Sequence, residues 1–425
     1  MITRARSTAA SRLLRLAQRR FTAALSASTP LEPVIEDTIR TIGPISLSKF
    51  MRTCLTHPEH GYYIHKDPLD VNSGDFITAP EMSVAYGMTC GLAFVRMFLA
   101  QLQYQSRHNP GFQVKDKIFR VIEFGPGKGS MMRGLAIVFK QYIIDNPVEI
   151  VMVEKSDILI KEQHKLLCKS QELEKVDDYN FRSVTEWGQK ITWQKNDLVE
   201  LDLDPKYMNF VVAHEFFDAL PIDRYTKTKH GWREYLVDVR TPEAGRAGKF
   251  GLVVAPHATP GSFIPASNER YNKLAVGANV EISADAHMYA SQLAKIINSA
   301  DVGGALIIDY GPMDTIPINS LRGIKGHKFV DPFSEPGKID LSVDVDFLGL
   351  SRLFESQGLK TMIQTQSHFL NSSGLPSILE GLASSMKEHQ QRIETLYQRL
   401  TGSAPQDMGR AYKALQVYRN ANKTT

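Results

Sequence analysis

The sequence predicts an α/β fold in which a mainly parallel sheet is covered by helices on both faces, and three observations predict it. A short apolar run, Ile118 to Phe124, ends in glycines and gives way to apolar residues at helical spacing from Ser130 to Tyr142, which reads as strand, tight loop, helix. A similar apolar run returns at Val148 to Val153. Further strand-like runs stand at Ile191 to Gln194, Asn209 to Ala213 and Ala305 to Ile308, with helical spacing over Ala286 to Ile297 just before the last. Strands that alternate with helices in this way pair in parallel, because each crossover helix returns the chain to the same edge of the sheet.

The remaining segments are placed around that sheet. Residues 44–110 read as a mostly helical cap segment with a turn-rich stretch around Gly61 and Gly74. Within it, Val84 to Leu102 is the most apolar run, but Arg96, Gly87 and Gly91 interrupt it, so it is expected to be a core helix and no integral membrane segment is expected. Residues 222–280 read as a β-rich insertion, with strand patterns at Trp232 to Val239 and Leu252 to Val254 between Gly, Pro and Thr clusters. Residues 344–400 alternate helix, strand and helix. No internal repeat or long low-complexity linker separates these pieces, which predicts one domain over residues 30–425.

Composition narrows the partners. Before the first acidic residue, Glu32, the chain carries Arg4, Arg6, Arg12, Arg15, Arg19 and Arg20 among frequent Ser and Thr, the pattern of a mitochondrial transit peptide over residues 1–29 and hence of a matrix protein. Of 50 Lys and Arg, removal of these six leaves 44 against 46 Asp and Glu, so the overall charge of +4 belongs to the leader. No basic patch interleaved with aromatics follows, and no nucleic-acid partner is expected. Cys54, Cys90 and Cys168 are too widely spaced for a disulfide framework or a zinc site, and no metal is expected.

The densest chemical signal is VIEFGPGKGS, residues 121–130, in which Glu123 precedes Gly125, Gly127 and Gly129. Glycines let the backbone turn sharply and approach a ligand closely, while the helix that follows presents unpaired N–H groups to the ligand's polar end. A phosphate-binding loop would need glycine in place of Ile122 and Ser or Thr in place of Gly129. A dinucleotide loop would place its third glycine at Ser130, so the spacing is instead that of S-adenosylmethionine enzymes. A glycine turn serving only helix–sheet packing remains the plain alternative.

Glu154 closes the second strand where a doubly wound sheet sets an acid against ribose hydroxyls, and Asn196 and Asp197, after the third, suit an adenine edge. A solvated strand-end acid and an Asx turn explain the same residues. After the fourth strand, HEFFDALP brings His214, Glu215 and Asp218 to the carboxyl edge of the sheet. Acids there suit a cationic substrate, since two carboxylates can fix a guanidinium fork and concentrate its charge away from the attacking nitrogen. His214 is equally read as a packed, satisfied histidine and Asp218 as a helix cap. Glu281 and Asp309 are the reserve acids.

At this point the chain resembles the MidA family of mitochondrial protein arginine methyltransferases, assembly factors of respiratory complex I. The resemblance is carried by GPISLSKFM (43–51), HGYY (60–63), GDFITAPE (74–81), EFGPGKG (123–129), HEFFDALP (214–221), GWRE (231–234), DYG (309–311) and LRGIKGHKFVDPFSEPGKIDLSVDVDF (321–347), blocks that span nearly the whole mature chain. It implies a Rossmann-like, seven-stranded methyltransferase fold with S-adenosylmethionine as cofactor. It also implies symmetric dimethylation of an arginine on the quinone-site subunit of the peripheral arm of complex I, and cofactor contacts at Gly74, Asp75 and Thr78. The competing reading from another class is a non-catalytic assembly factor that binds S-adenosylmethionine to stabilise an intermediate. A nicotinamide-dependent oxidoreductase is disfavoured by the glycine spacing.

Overall fold

The computed structural model describes residues 28–65, 78–169, 171–196, 201–240, 248–385 and 390–419. The expected leader therefore falls almost wholly outside the described residues. Helix α1 (Val84–His108) leads into β1 (Ile118–Phe124), α2 (Ser130–Tyr142), β2 (Val148–Val153) and α3 (Asp157–Cys168). Strands β3 (Glu174–Lys175), β4 (Asn180–Val184), β5 (Lys190–Gln194) and β6 (Tyr207–His214) follow. After an intervening β-rich segment come α4 (Ala284–Asn298), β7 (Gly303–Tyr310), α5 (Phe347–Ser356), β8 (Leu359–Thr365) and, near the end of the chain, β9 (Tyr412–Arg419).

These strands form one nine-stranded sheet in the order β8-β9-β7-β6-β1-β2-β5-β4-β3. Strands β7, β6, β1, β2 and β5 run parallel. Nine strands stand where the resemblance implies seven. The short β3 and β4, which sequence patterning misses, fold back antiparallel on β5 and occupy its open hydrogen-bonding edge. Strand β9, also unread in the sequence, inserts antiparallel between β7 and β8. The buried runs of β1, β6 and β7 are apolar on both faces because each face carries its own core. One core joins Phe94, Phe119, Phe139 and Phe210, with Phe119 stacked on Phe210 at 4.6 Å; the other joins Phe124, Leu293, Ile297, Ile307 and Phe354.

Helix α1 is the core helix its interrupted apolar run predicts. Gly87 and Gly134 let it lie directly on α2, for a Cβ on Gly134 would stand 2.6 Å from the backbone of Gly87. The expected cap segment divides. Residues 31–56 leave the central sheet and pack Leu31, Ile35, Phe50 and Met51 against Val237 and Phe250 of the inserted β-rich region. There Ile45–Ser46, Gly231–Val239, Asp223–Thr228 and Asn279–Ile282 make a sheet, joined by Phe250–Val254. A three-stranded sheet of Arg322–Lys325, Lys328–Val330 and Asp340–Ser342 adjoins it.

The α1–α2 contact gives a stability prediction. Gly134→Ala should lower the unfolding free energy by about 1–3 kcal/mol through overpacking. The effect should appear although alanine is the better helix former by about 1 kcal/mol. Urea unfolding at unchanged m-value is the measurement, and an unchanged or higher midpoint would count against the close approach.

Candidate active site

The carboxyl ends of β1, β2, β5, β6 and β7 meet along one edge, and all described candidate residues lie there or on the segments that cover it. At the end of β1 the glycine loop uses left-handed backbone three times, with φ of +61° at Gly125, +53° at Gly127 and +86° at Gly129. Only glycine adopts such a series without penalty. A Cβ on Gly125 would meet the Phe216 ring at 3.0 Å, and one on Gly129 would meet Gln163 at 3.3 Å. The N-terminus of α2 behind the loop receives no side-chain cap.

Gln163 of α3, which sequence reasoning overlooks, ties this half together. Fully buried, it donates to the Gly127 carbonyl at 2.6 Å and to Glu154 at 3.2 Å, and accepts from the Trp193 indole at 2.9 Å. The signal was available: a polar residue spaced three from Ile160 and four from Leu167 on the buried face of an amphipathic helix. Glu154 also accepts the Ser156 N–H at 2.8 Å, and burial pushes its pKa up to about 7 against the pull of those hydrogen bonds. Glu123 is 2% exposed, and one of its oxygens is buried without a hydrogen-bond partner. Burial, then the charges of Glu154 and Glu81, hold its carboxyl well above the usual range.

Thr78 is buried and its carbonyl accepts the Glu81 N–H at 3.1 Å, and Glu81 lies near enough to Glu123 for its charge to act there, so the described end of the GDFITAPE block, residues 78–81, reaches the neighbourhood of Glu123. Asn196 is half-buried, two residues beyond Gln194, whose carbonyl takes the Glu154 N–H at 3.0 Å. Gly74, Asp75 and Asp197 lie outside the described residues.

The second half of the site follows β6. His214 Nε2 lies 3.6 Å from Glu215 Oε1, and both atoms are buried without hydrogen-bond partners. Burial lowers the His214 pKa to about 3, which keeps the ring neutral against the edge of Tyr86 at 5.4 Å. The reading of His214 as a satisfied core histidine is thus half right: it is packed, but unsatisfied. Glu215 has left-handed backbone, φ +49°, and burial, then the charge of Asp218, raises its carboxyl well above the usual range while the Tyr412 hydroxyl pulls it down.

Asp218 is differently employed. It accepts from the hydroxyls of Tyr310 and Ser342. No helix follows it, because residues 215–220 form a turn, so the capping alternative is corrected. Asp309 takes the N–H groups of Phe217 and Asp218 on one oxygen, both at 3.1 Å. The other reserve acid, Glu281, is corrected as a candidate: it is held in the inserted sheet by Arg224 at 2.6 Å and by Ser320. Tyr310 and Ser342 stand in the DYG and 321–347 blocks and Tyr412 in none, but no local pattern assigns any of the three to the acids; long-range pairing brings them there.

A doubly wound sheet with a glycine cradle, an orphaned buried acid behind it and a second acid on the next strand end defines a protein built to hold a nucleoside cofactor. The comparisons specify which. The family model described as "Putative S-adenosyl-L-methionine-dependent methyltransferase" matches residues 94–365. A relative in Mus musculus named "Protein arginine methyltransferase NDUFAF7, mitochondrial" is 33% identical, covering 90% of this chain and 83% of its own. Those of Homo sapiens and Drosophila melanogaster are each 31% identical, covering 87% and 89% of this chain and 80% and 83% of their own. A solved structure from Burkholderia thailandensis, bound to S-adenosyl-homocysteine, shares the fold at TM-score 0.68 and 21% identity over 95% of this chain and 97% of its own. The chain belongs to the S-adenosyl-L-methionine-dependent methyltransferase family that includes these NDUFAF7 proteins, and its cofactor is S-adenosylmethionine. The residues fit that cofactor: the loop would cradle it, Glu154 would accept from ribose hydroxyls, and the orphaned Glu123 oxygen leaves a buried polar atom for it or for an ordered water.

Two predictions follow from this half of the site. A ligand that donates hydrogen bonds to Glu154 favours its ionised form, so S-adenosylmethionine affinity should rise through pH 6 to 8 and lose up to about tenfold per unit below pH 7. Glu154→Gln should flatten the profile; calorimetry showing the same slope in both proteins would move the titrating group elsewhere. Gly127→Val should abolish cofactor binding in a folded protein, because a β-branched residue cannot hold φ +53° beside the ligand. Retained affinity would remove the loop from the cofactor site.

Proposed function

We propose that the protein is a mitochondrial matrix protein arginine N-methyltransferase that makes symmetric dimethylarginine on the quinone-site subunit of respiratory complex I and so serves the assembly of that complex. The names of the relatives support arginine methylation and the mitochondrion, and the MidA resemblance supports the subunit and the symmetric product. Seven of the nine strands, β8-β9-β7-β6-β1-β2-β5 with β9 antiparallel, we read as the seven-stranded sheet of the class, and residues 30–425 as one domain around it.

The observation that carries the arginine reading is the buried Glu215–His214 pair with one unpartnered atom on each side chain. A guanidinium supplies N–H donors in a planar fork and suits two buried acceptors in place of water. When bound, S-adenosylmethionine supplies an electrophilic methyl group on sulfur and departs as the thioether. The residues of the chain do the rest. Glu215 accepts guanidinium N–H groups and draws positive charge toward itself, leaving electron density on the attacking nitrogen. That nitrogen sheds one proton as its bond to carbon forms, and Glu215, whose burial raises its proton affinity, takes it. Neutral His214 accepts a second N–H and fixes the fork. Asp218, occupied by Tyr310 and Ser342, shapes the turn and adds negative field.

Glu215→Gln should slow single-turnover methylation of the purified subunit by roughly 10²- to 10³-fold at saturating cofactor, with cofactor affinity little changed. Asp218→Asn should cost less, because one of its oxygens already accepts from two hydroxyls. Mass spectrometry of the subunit with and without the protein reads the product and its symmetry. Wild-type rates in Glu215→Gln would remove this acid from the chemistry. An unmodified subunit that still requires the protein for assembly would favour the non-catalytic factor.

A further inference from the structure

We infer that Asp309 is the positioning residue of the site: its carboxylate clamps the turn after β6 onto β7 and so holds Glu215 in the left-handed backbone conformation that keeps its carboxyl group beside His214. The inference rests on the reading of Glu215 as the acid that faces the substrate.

Asp309 is 0% exposed, on the penultimate position of β7. Its Oδ2 accepts the backbone N–H groups of Phe217 and Asp218, each at 3.1 Å, and its Oδ1 accepts the N–H of Tyr310 at 2.9 Å. The residue before it does matching work, since the Ile308 carbonyl takes the Glu215 N–H at 2.9 Å. Two consecutive residues of one strand thus fix both ends of a four-residue turn on its neighbour. Among the described residues no Lys or Arg is paired with Asp309, so backbone donors replace a cation as the compensation for burying this carboxyl group.

The turn needs such a clamp. Glu215 holds φ +49°, a conformation a side chain-bearing residue keeps only when its surroundings over-determine it. Without the Asp309 acceptor, two buried N–H groups would lose their partner, and rotation of the Glu215 backbone to negative φ would carry its carboxyl group away from His214. The side chain of Asp218 is tethered separately by Ser342 at 3.0 Å and by Tyr310. Release of the clamp therefore reaches Glu215 first. A direct grip of Asp309 on the substrate is less suited to the geometry, because both its oxygens already receive backbone donors, whereas Glu215 has an oxygen with no hydrogen-bond partner.

A double-mutant cycle on the full-length protein tests this, with methylation of the complex I subunit at saturating cofactor as one readout and S-adenosyl-homocysteine binding by calorimetry as the other. Asp309→Asn keeps shape but opposes an amide N–H to that of Tyr310; Asp309→Glu keeps the carboxyl group but displaces it, and it carries the cycle by itself if the asparagine variant does not fold. Each should lower kcat by roughly 10- to 100-fold with the Kd for S-adenosyl-homocysteine within about twofold of wild type. Placed on Glu215→Gln, each should lower kcat by less than about threefold further, since the residue it positions is already disabled. Additive losses on a slow Glu215→Gln background would overturn the positioning role alone. Wild-type kcat in Asp309→Glu would show that a carboxyl group and not its placement matters, and weakened cofactor binding would place Asp309 in the other half of the site; either result overturns the inference. Wild-type kcat in Glu215→Gln would overturn this inference together with the function it rests on.

Discussion

Carboxyl groups that must be buried at the carboxyl ends of parallel strands are what the rest of this structure answers to. Glu123, Asp218, Asp309 and Asp340 are each less than 9% exposed, and Glu215 stands among them. An ionised carboxylate taken out of water is costly unless hydrogen bonds or opposite charge replace its hydration. Here the replacements differ by residue. Asp309 has backbone N–H groups, Asp218 has two hydroxyls and the nearby charge of Arg322, and Asp340 has the Tyr63 hydroxyl at 3.0 Å. Burial raises the proton affinity of Glu123, Glu215, Asp218 and Asp309 alike, but of these four only Glu123 and Glu215 retain an oxygen without a hydrogen-bond partner. Uncompensated acids mark where a ligand can supply what the protein withholds, which is why we propose a cofactor half around Glu123 and a substrate half around Glu215.

The two halves are held in register by the sheet itself. Strands β1 and β6 are hydrogen-bonded neighbours, Glu123 standing opposite Val212 and Phe124 opposite Ala213, so the glycine loop and the His214–Glu215 pair rise from adjacent strand ends. In-line methyl transfer depends on alignment of nucleophile, carbon and sulfur, and a rigid scaffold is the means of providing it. On the glycine-loop side one buried amide, that of Gln163, joins the loop, Glu154 and β5. On the substrate side one buried carboxylate, that of Asp309, joins β7 to the turn. Each is a polar group whose value lies in having all its partners present.

The added segments contribute to the site as well as covering it. Ser342 and Asp340 come from the three-stranded sheet, Tyr63 from the N-terminal helical region, and Arg322 lies 4.4 Å over the Tyr310 ring. The regions that distinguish this chain from a bare nucleoside-binding sheet are thus the ones that complete the hydroxyl and cation shell of the acids.

The residues alone determined the parallel core, because hydrophobic period is a local property: the expected bounds of β1, α2 and β2 agree with those of the structure. They also determined the glycine cradle, whose left-handed conformations are legible as an excess of glycine at fixed spacing, and the siting of acids at strand ends. The tertiary structure decided what depends on contacts across long separations. Strand β9, with Lys413, Gln416 and Arg419 spoiling any clean alternation, becomes a strand only because β7 and β8 leave a place between them. The short hairpin of β3 and β4 is defined by the edge it covers, and the N-terminal helices by a sheet to which they add Ile45–Ser46 but whose other strands begin only at Asp223. Sequence placed Glu215 ahead of Asp218, which it also read as a helix cap; that Asp218 instead accepts from Tyr310 and Ser342 while one Glu215 oxygen keeps no partner was decided by contacts across long separations, because hydrogen-bond satisfaction belongs to the assembled neighbourhood and not to the residue.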